Sequence, residues 1–140
     1  MKLMRSAFLG LGFLLAVSAT PAQEPRVKAS IPFDFVVADR VLPAGEYIVS
    51  RASDSSPAIV IRPVDGPGAS LAMTFACANA GPSKDTKLVF HTLGGRYFLS
   101  QVWAEGSAQG RQLRMSNSEI QLAKNGDTSK DLVLAANITR

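Results

Sequence analysis

Apolar and polar residues alternate along most of the chain after residue 26. In the first such stretch, apolar side chains occupy every second position: Val27, Ala29, Ile31, Phe33, Phe35 and Val37. A period of two over this length predicts a half-buried strand. Six further strands are predicted at residues 46–51, 58–62, 71–77, 86–93, 96–103 and 131–138. Seven short strands separated by turn residues indicate a mainly β, single-domain antiparallel barrel or sandwich.

The two strands around Gly94-Gly95 are predicted to form a hairpin. A two-residue glycine turn suits the geometry in which both central residues have positive φ. The resulting register pairs Thr92–Tyr97, Phe90–Leu99, Leu88–Gln101 and Thr86–Trp103 on one face, and His91–Phe98, Val89–Ser100 and Lys87–Val102 on the other. The first face is the more apolar, so it is expected to face the core.

One short helix is predicted near residues 117–124. Ser116-x-x-Glu119 matches a capping box, in which the serine oxygen accepts from the third helical N–H and the glutamate reaches back. Asn125-Gly126 is a typical helix end. The helix is the only one that the pattern predicts outside the first 22 residues.

Residues 1–22 have the order of features that marks an export signal peptide. Lys2 and Arg5 precede an apolar run over residues 7–19, and small residues follow. Cleavage is predicted after Ala22 or Ala19. The run is shorter than the roughly 20 residues that a membrane-crossing helix needs, so we expect no transmembrane anchor in the mature form. Residues 23–140 then form a single β domain, located in the periplasm or outside the cell.

Charge argues against a nucleic-acid partner. The formal net charge of +4 falls to +2 when Lys2 and Arg5 are removed with the signal peptide. The remaining Lys and Arg residues form no run and no basic helix face, whereas phosphate binding needs clustered positive charge.

The candidates for catalysis and metal binding are few. His91 is the only histidine, which excludes a multi-histidine metal site, and a histidine packed on the sheet is favoured over a general base. There is no Gly-x-Ser-x-Gly elbow, although a Ser–His–Asp or Cys77–His91 arrangement stays open. We therefore assign no catalytic, cofactor-binding or metal-binding residue and expect no cofactor. The single cysteine, Cys77, has no partner for a disulfide within the chain, so it is either buried and inert or paired with another molecule. Its parity with Leu71, Met73 and Phe75 favours a buried thiol.

Three aromatic residues of the hairpin, Tyr97, Phe98 and Trp103, are the candidate ligand platform. Aromatic rings on one hairpin can bind sugars or other flat ligands, but they more often fill a small core. The core interpretation is favoured because Phe90 and Leu99 belong to the same face of the hairpin.

Two pairs of segments carry a resemblance to a known group of proteins. They are Ile31-Pro32-Phe33-Asp34-Phe35 with Leu42-Pro43-Ala44-Gly45-Glu46-Tyr47, and Lys87-Leu88-Val89-Phe90-His91 with Arg96-Tyr97-Phe98-Leu99-Ser100-Gln101-Val102-Trp103. Over residues 29–103 the chain resembles an uncharacterised family of small exported β-rich proteins from soil bacteria. The resemblance implies export and a single β-rich domain, and it supplies neither an activity nor site residues.

The leading hypothesis is a non-enzymatic exported β-domain that binds a ligand, an envelope component or a partner protein. One alternative is a small exported hydrolase with unfamiliar site geometry, and another is a structural envelope protein that assembles through an edge strand. Serine, histidine and carboxylate atoms grouped in one cleft would favour the enzyme. An open apolar mouth would favour ligand binding, and a filled barrel with an unpaired edge strand would favour assembly.

Overall fold

The computed structural model describes residues 26–139, which are mainly β with a single short helix. The strands are β1 (Arg26–Ile31), β2 (Phe35–Val37), β3 (Arg40–Leu42), β4 (Gly45–Arg51), β5 (Ala58–Pro63), β6 (Ser70–Ala78), β7 (Lys87–Leu93), β8 (Arg96–Trp103), β9 (Gln109–Leu113), β10 (Lys130–Ala135) and β11 (Asn137–Thr139), and the helix is α1 (Asn117–Lys124). The predicted signal peptide lies outside the described residues.

Eleven strands replace the predicted seven in this part of the chain. The first and last predicted strands are each divided in two, giving β1 with β2 and β10 with β11. Strands β3 and β9 form in segments that read as turn and loop. Strand β3 has only three residues, and β9 is short and mostly polar, so neither gave a period-two signal and both form through pairing with their neighbours.

All the strands belong to one mixed sheet that curls but does not close. The order is β10-β7-β8-β9-β6-β5-β4-β1-β11, with β2 parallel to β8 and β3 beside β2. The other pairs are antiparallel. Strand β1 contacts β10, and only Ala136 separates the two end strands β10 and β11 along the chain, so the two ends of the sheet lie close together. The predicted mainly β class with one short helix is confirmed, whereas the sheet is mixed and not closed, and it has more strands than the seven of the predicted antiparallel barrel or sandwich.

The main core fills the inner face of the curl. Its buried residues come from both halves of the sheet: Val27, Ala29, Ile31, Phe35, Val37, Tyr47, Val49, Ile59, Ile61, Ala72, Leu88, Phe90, Leu99, Val102 and Leu113. Phe35 packs edge-on against both Tyr47 and Phe90, with ring centroids 5.1 and 5.8 Å apart. Edge-to-face packing of this kind adds to the free energy gained by burying the rings.

The β7–β8 hairpin follows the predicted register only as far as the pair Phe90–Leu99. Gly94 and Gly95 have the predicted positive φ, 58° and 74°. A bulge then shifts the register at Ser100, so the predicted pairs beyond it are wrong: Val89 pairs with Gln101, Leu88 with Val102 and Lys87 with Trp103. The extra residue turns apolar Val102 toward the core in place of polar Gln101, which explains why the shifted register is preferred.

The predicted orientation of β6 is also wrong. Ser70, Ala72 and Thr74 are buried, whereas Leu71, Met73 and Phe75 are 59%, 54% and 47% exposed. Ser70 and Ala72 pair with buried Ile61 and Ile59 of β5, and directly paired residues share a face of the sheet. A one-residue change of register moves every side chain of a strand to the other face, and here the partner strand decided the face. Cys77 is consequently half-buried and not buried as predicted.

Helix α1 forms where it was predicted and covers the outer face of the hairpin. Ser116 Oγ accepts from Glu119 N at 3.1 Å, as expected for a capping serine, and Asp39 Oδ1 accepts from Asn117 N at 2.9 Å. A second apolar cluster contains Leu122 of the helix and the buried residues Val36, Leu93 and Phe98. Among residues 26–139, no helix is long and apolar enough to cross a membrane.

Candidate functional site

A serine, a histidine and a glutamate meet between α1 and the hairpin. His91 Nδ1 lies 2.6 Å from Glu119 Oε1, and His91 Nε2 lies 3.0 Å from Ser100 Oγ. Asp131, which is opposite His91 on β10, places Oδ1 3.5 Å from the same Nε2. We call these four residues the His91 network.

The order serine, imidazole and carboxylate is that of an activated nucleophile, its base and the group that orients the base. The sequence left a Ser–His–acid arrangement open without identifying either partner. Glu119 was expected only to cap its own helix, and its carboxylate instead contacts His91. Ser100 was expected to lie opposite Val89, on the same face of the hairpin as His91, but the contact between the two side chains was not predicted.

Burial limits what the His91 network can do. Ser100 and Glu119 are each only 4% exposed, whereas the side chain of His91 is 26% exposed. A nucleophile has to approach its substrate to about 3–3.5 Å, so the burial of Ser100 disfavours a nucleophilic role. The network instead fastens α1 to the sheet through a charge-assisted hydrogen bond.

A cleft opens at the mouth of the curled sheet, between its two halves. Its volume is about 260 Å³. It lies between β1, β4 and β5 on one side and β8, β9 and their connecting loop on the other, and it is lined by Val27, Val49, Ser50, Arg51, Ile59, Val102, Ala104, Ser107, Gln109 and Arg111. Neither aspartate nor glutamate lines it.

The cleft has an apolar floor and a polar rim. The floor consists of Val27, Val49, Ile59 and Val102, all buried members of the main core. Val102 reaches this position because of the bulge at Ser100. Sites of this composition, a mainly apolar surface with a few polar groups, are typical of small-molecule binding, and the mouth of a curled sheet is a common location.

Two arginines contribute the charge of the rim. Arg111 is paired with Val102 across β9 and β8, so it shares the inner face of the sheet. Arg51 lies two residues after Val49 on β4, and its Nη2 donates to Asp54 O at 2.6 Å, which fixes the guanidinium to the following turn. A guanidinium carries five N–H donors in a fixed planar arrangement, so both arginines bring hydrogen-bond donors to the rim.

Cys77 is close to Arg111 but is a poor nucleophile. Burial raises the pKa of the Cys77 thiol above its usual value, although backbone hydrogen bonds and the charge of Arg111 act in the opposite direction. A raised thiol pKa leaves less thiolate, the reactive form, at neutral pH.

Among residues 26–139, no group of three or more His, Cys, Asp or Glu side chains is arranged to hold a metal ion.

The structure separates the three aromatic residues proposed as a ligand platform. Tyr97 stacks on Phe33, with ring centroids 3.9 Å apart and planes at 19°, beside the main core. Phe98 is 1% exposed and belongs to the cluster beneath α1, on the opposite face of β8. Trp103 is 4% exposed, and its Nε1 donates to Gln101 Oε1 at 2.9 Å. The three rings form no common surface.

Comparisons with protein-family models, with curated proteins and with solved structures found no match for this chain. The function of the cleft and of the His91 network has to be inferred from their own geometry.

Proposed function

We propose that this chain is an exported, non-enzymatic β-domain that binds a small ligand or envelope component in the cleft at the mouth of its sheet. The observation that carries the proposal is an open cleft of about 260 Å³ whose floor is apolar and whose rim carries Arg51 and Arg111.

Binding in the cleft has a clear source of free energy. Ligand atoms inside the cleft cover the apolar surface that its lining still exposes to water, which stabilises the complex by about 25 cal/mol per Å². The floor side chains are held by the main core, with Val49 and Ile59 only 3% and 2% exposed. Because the surface is already formed without a ligand, little conformational entropy is lost on binding.

The ligand can be tested by mass spectrometry of the protein purified from the producing cells under native conditions. We expect a bound small molecule in the wild type. Replacing Ala104, which lines the cleft, by tryptophan should abolish its retention, because the indole fills the cleft. The matched control is Ala123→Trp on the exposed side of α1. Equal retention by both variants, or no bound molecule in the wild type, would contradict the proposal.

Export rests on the charge and apolar run of residues 1–22 and has its own test. N-terminal sequencing of the protein from the producing cells should give a chain that starts at Thr20 or Gln23. An intact Met1 on protein from the cytoplasm would contradict export.

The second candidate function is hydrolysis at the His91 network. It is favoured by the contacts of His91 with Ser100 and Glu119, at 3.0 and 2.6 Å. A fluorophosphonate probe discriminates the two functions, because an activated serine forms a covalent adduct with it. Labelling of the wild type that is lost in Ser100→Ala would establish the hydrolase, and we expect no labelling because Ser100 is buried.

A further inference from the structure

A second cleft, of about 230 Å³, shares no lining residue with the cleft at the mouth of the sheet. Its lining comes from β3 and the turn after it, from β4 and β5, and from the loop that joins β5 to the start of β6. We propose that this second cleft binds a free α-amino acid with an apolar side chain, whose carboxylate and ammonium groups contact Arg40 and Asp65.

The hydroxyl group of Ser70, the first residue of β6, is available to a ligand in the second cleft. Ser70 is 3% exposed and pairs with buried Ile61, which also lines this cleft, so the two side chains share one face of the sheet. Ser70 Oγ has no hydrogen-bond partner within residues 26–139 and retains some solvent access. The other buried polar residues of this range each have a side-chain partner: Thr74, Ser83, Thr86, Ser100, Ser116 and Glu119. A hydroxyl can both donate and accept, so Ser70 can bond either polar group of an amino acid.

Two opposite charges line the second cleft from different elements of the fold. Arg40 belongs to β3, which pairs only with β2, and Asp65 belongs to the loop between β5 and β6. Both residues are exposed, and neither forms an ion pair or a side-chain hydrogen bond with another of residues 26–139. A guanidinium binds a carboxylate through paired hydrogen bonds, and a carboxylate binds an ammonium group through charge-assisted ones. A ligand with one charge of each sign therefore uses both side chains, whereas a ligand with a single charge uses only one.

The apolar part of the lining still exposes surface that a ligand can cover. Leu42 and Pro63 are half-buried, and Pro43 and Pro67 are exposed. An apolar side chain placed among these residues removes their surface and its own from water. The volume of about 230 Å³ is below the roughly 300–1,000 Å³ of sites for drug-sized ligands, so it suits a molecule as small as one amino acid.

Leucine and two analogues that each lack one of its charges test the proposal. Leucinamide keeps the ammonium group without the carboxylate, and 4-methylpentanoate keeps the carboxylate without the ammonium group. Their affinities for the purified, dialysed exported protein can be measured by isothermal titration calorimetry. We expect leucine to bind at least tenfold more tightly than either analogue, and more tightly than glycine, which lacks the apolar side chain.

Variants assign each group of the ligand to its partner. Arg40→Gln should weaken leucine at least tenfold and leave leucinamide unchanged, and Asp65→Asn should weaken leucine at least tenfold and leave 4-methylpentanoate unchanged. Ser70→Ala should weaken leucine by about two- to tenfold, as expected for one hydrogen bond. The matched controls are Arg62→Gln and Asp127→Asn, which remove the same charges from exposed residues outside the second cleft and should leave leucine binding intact. Urea midpoints measured for each variant show that it is folded.

The first cleft provides a further control, because Ala104→Trp fills it and should leave leucine binding intact. Loss of leucine binding in Ala104→Trp but not in Arg40→Gln would overturn the assignment to the second cleft. Equal affinities for leucine and both analogues would overturn the recognition of paired charges, and absence of leucine binding by the wild type would overturn the amino-acid ligand. These outcomes are independent of the molecule retained in the first cleft, so the proposed function is judged separately.

Discussion

Replacing Gly110 by alanine is expected to destabilise the fold, because Trp103 occupies the space that the new methyl group needs. An ideal Cβ at Gly110 would lie 2.7, 2.7 and 2.8 Å from the indole atoms Cδ2, Cε2 and Cε3. These distances are well below normal contact, and the obstacle is a buried ring, 4% exposed, which is also held by its hydrogen bond to Gln101. The ring cannot move away without disturbing its neighbours.

The magnitude follows from two opposing effects. Overpacking a well-packed site typically costs about 1–3 kcal/mol. Exchanging glycine for alanine reduces the entropy of the unfolded chain, which stabilises by about 0.4–1 kcal/mol when the backbone is compatible. Gly110 does not have a positive φ, so this gain applies. The clash is the larger effect, and we expect Gly110→Ala to lose roughly 0.5–2.5 kcal/mol of unfolding free energy.

A double-mutant cycle with Trp103→Ala tests this reasoning directly. Trp103→Ala alone should cost about 3–5 kcal/mol, as for other buried large aromatics. Once the indole is absent, Gly110→Ala should become neutral or stabilising by up to about 1 kcal/mol, since only the unfolded-state effect is left. Far-UV circular dichroism in urea measures all four proteins, including those without tryptophan.

Gly81→Ala is the matched control for the cycle. Nothing lies within 4 Å of its ideal Cβ and its φ is not positive, so its effect should be within about 0.5 kcal/mol of zero. The reasoning would be refuted if Gly110→Ala had the same effect with and without Trp103, or if it stabilised the wild type.

Three further predictions concern single side chains. Alkylation of Cys77 should have its pH midpoint above that of free cysteine, because burial raises the thiol pKa; a lower midpoint in a pH series would contradict this. Phe75→Ser should change the free energy of unfolding, measured in urea, by less than about 0.5 kcal/mol, since the ring is 47% exposed. A large loss of unfolding free energy would instead indicate that this face of β6 is turned toward the core. Glu119→Ala should cost about 1.5–3 kcal/mol through the lost contact with His91, whereas exposed Gln121→Ala on the same helix should not; equal midpoints would refute the fastening role.

The sequence predicted those features that depend on short stretches of chain. Gly94-Gly95 specified a turn with two positive φ angles, because glycine alone enters that region without strain. Ser116 specified the start of α1, since a hydroxyl at that position satisfies an N–H that the helix leaves unpaired. The alternation from Val27 to Ile31 correctly predicted a strand and its buried face.

The candidate site was not predictable in the same way. Its floor residue Val102 faces inward only because of the bulge at Ser100, whereas the two-residue glycine turn predicted a regular register along the whole hairpin. Arg111 reaches the cleft by pairing with Val102, although β9 was not predicted to be a strand. The sequence correctly placed Arg51 on a strand, but no residue near it in the chain indicated that it would line a cleft together with Arg111.

The sequence by itself therefore determined the β-rich class, the hairpin turn and the helix, whose causes lie within a few neighbouring residues. The tertiary structure alone decided which face of β6 is buried, where the hairpin changes register and which charges meet at the cleft. The reason is clearest in β6, where apolar residues alternate as regularly as in β1 and yet lie on the exposed face: Leu71, Met73 and Phe75. A period of two fixes which side chains share a face, but only the partner strands decide which face is turned toward the core.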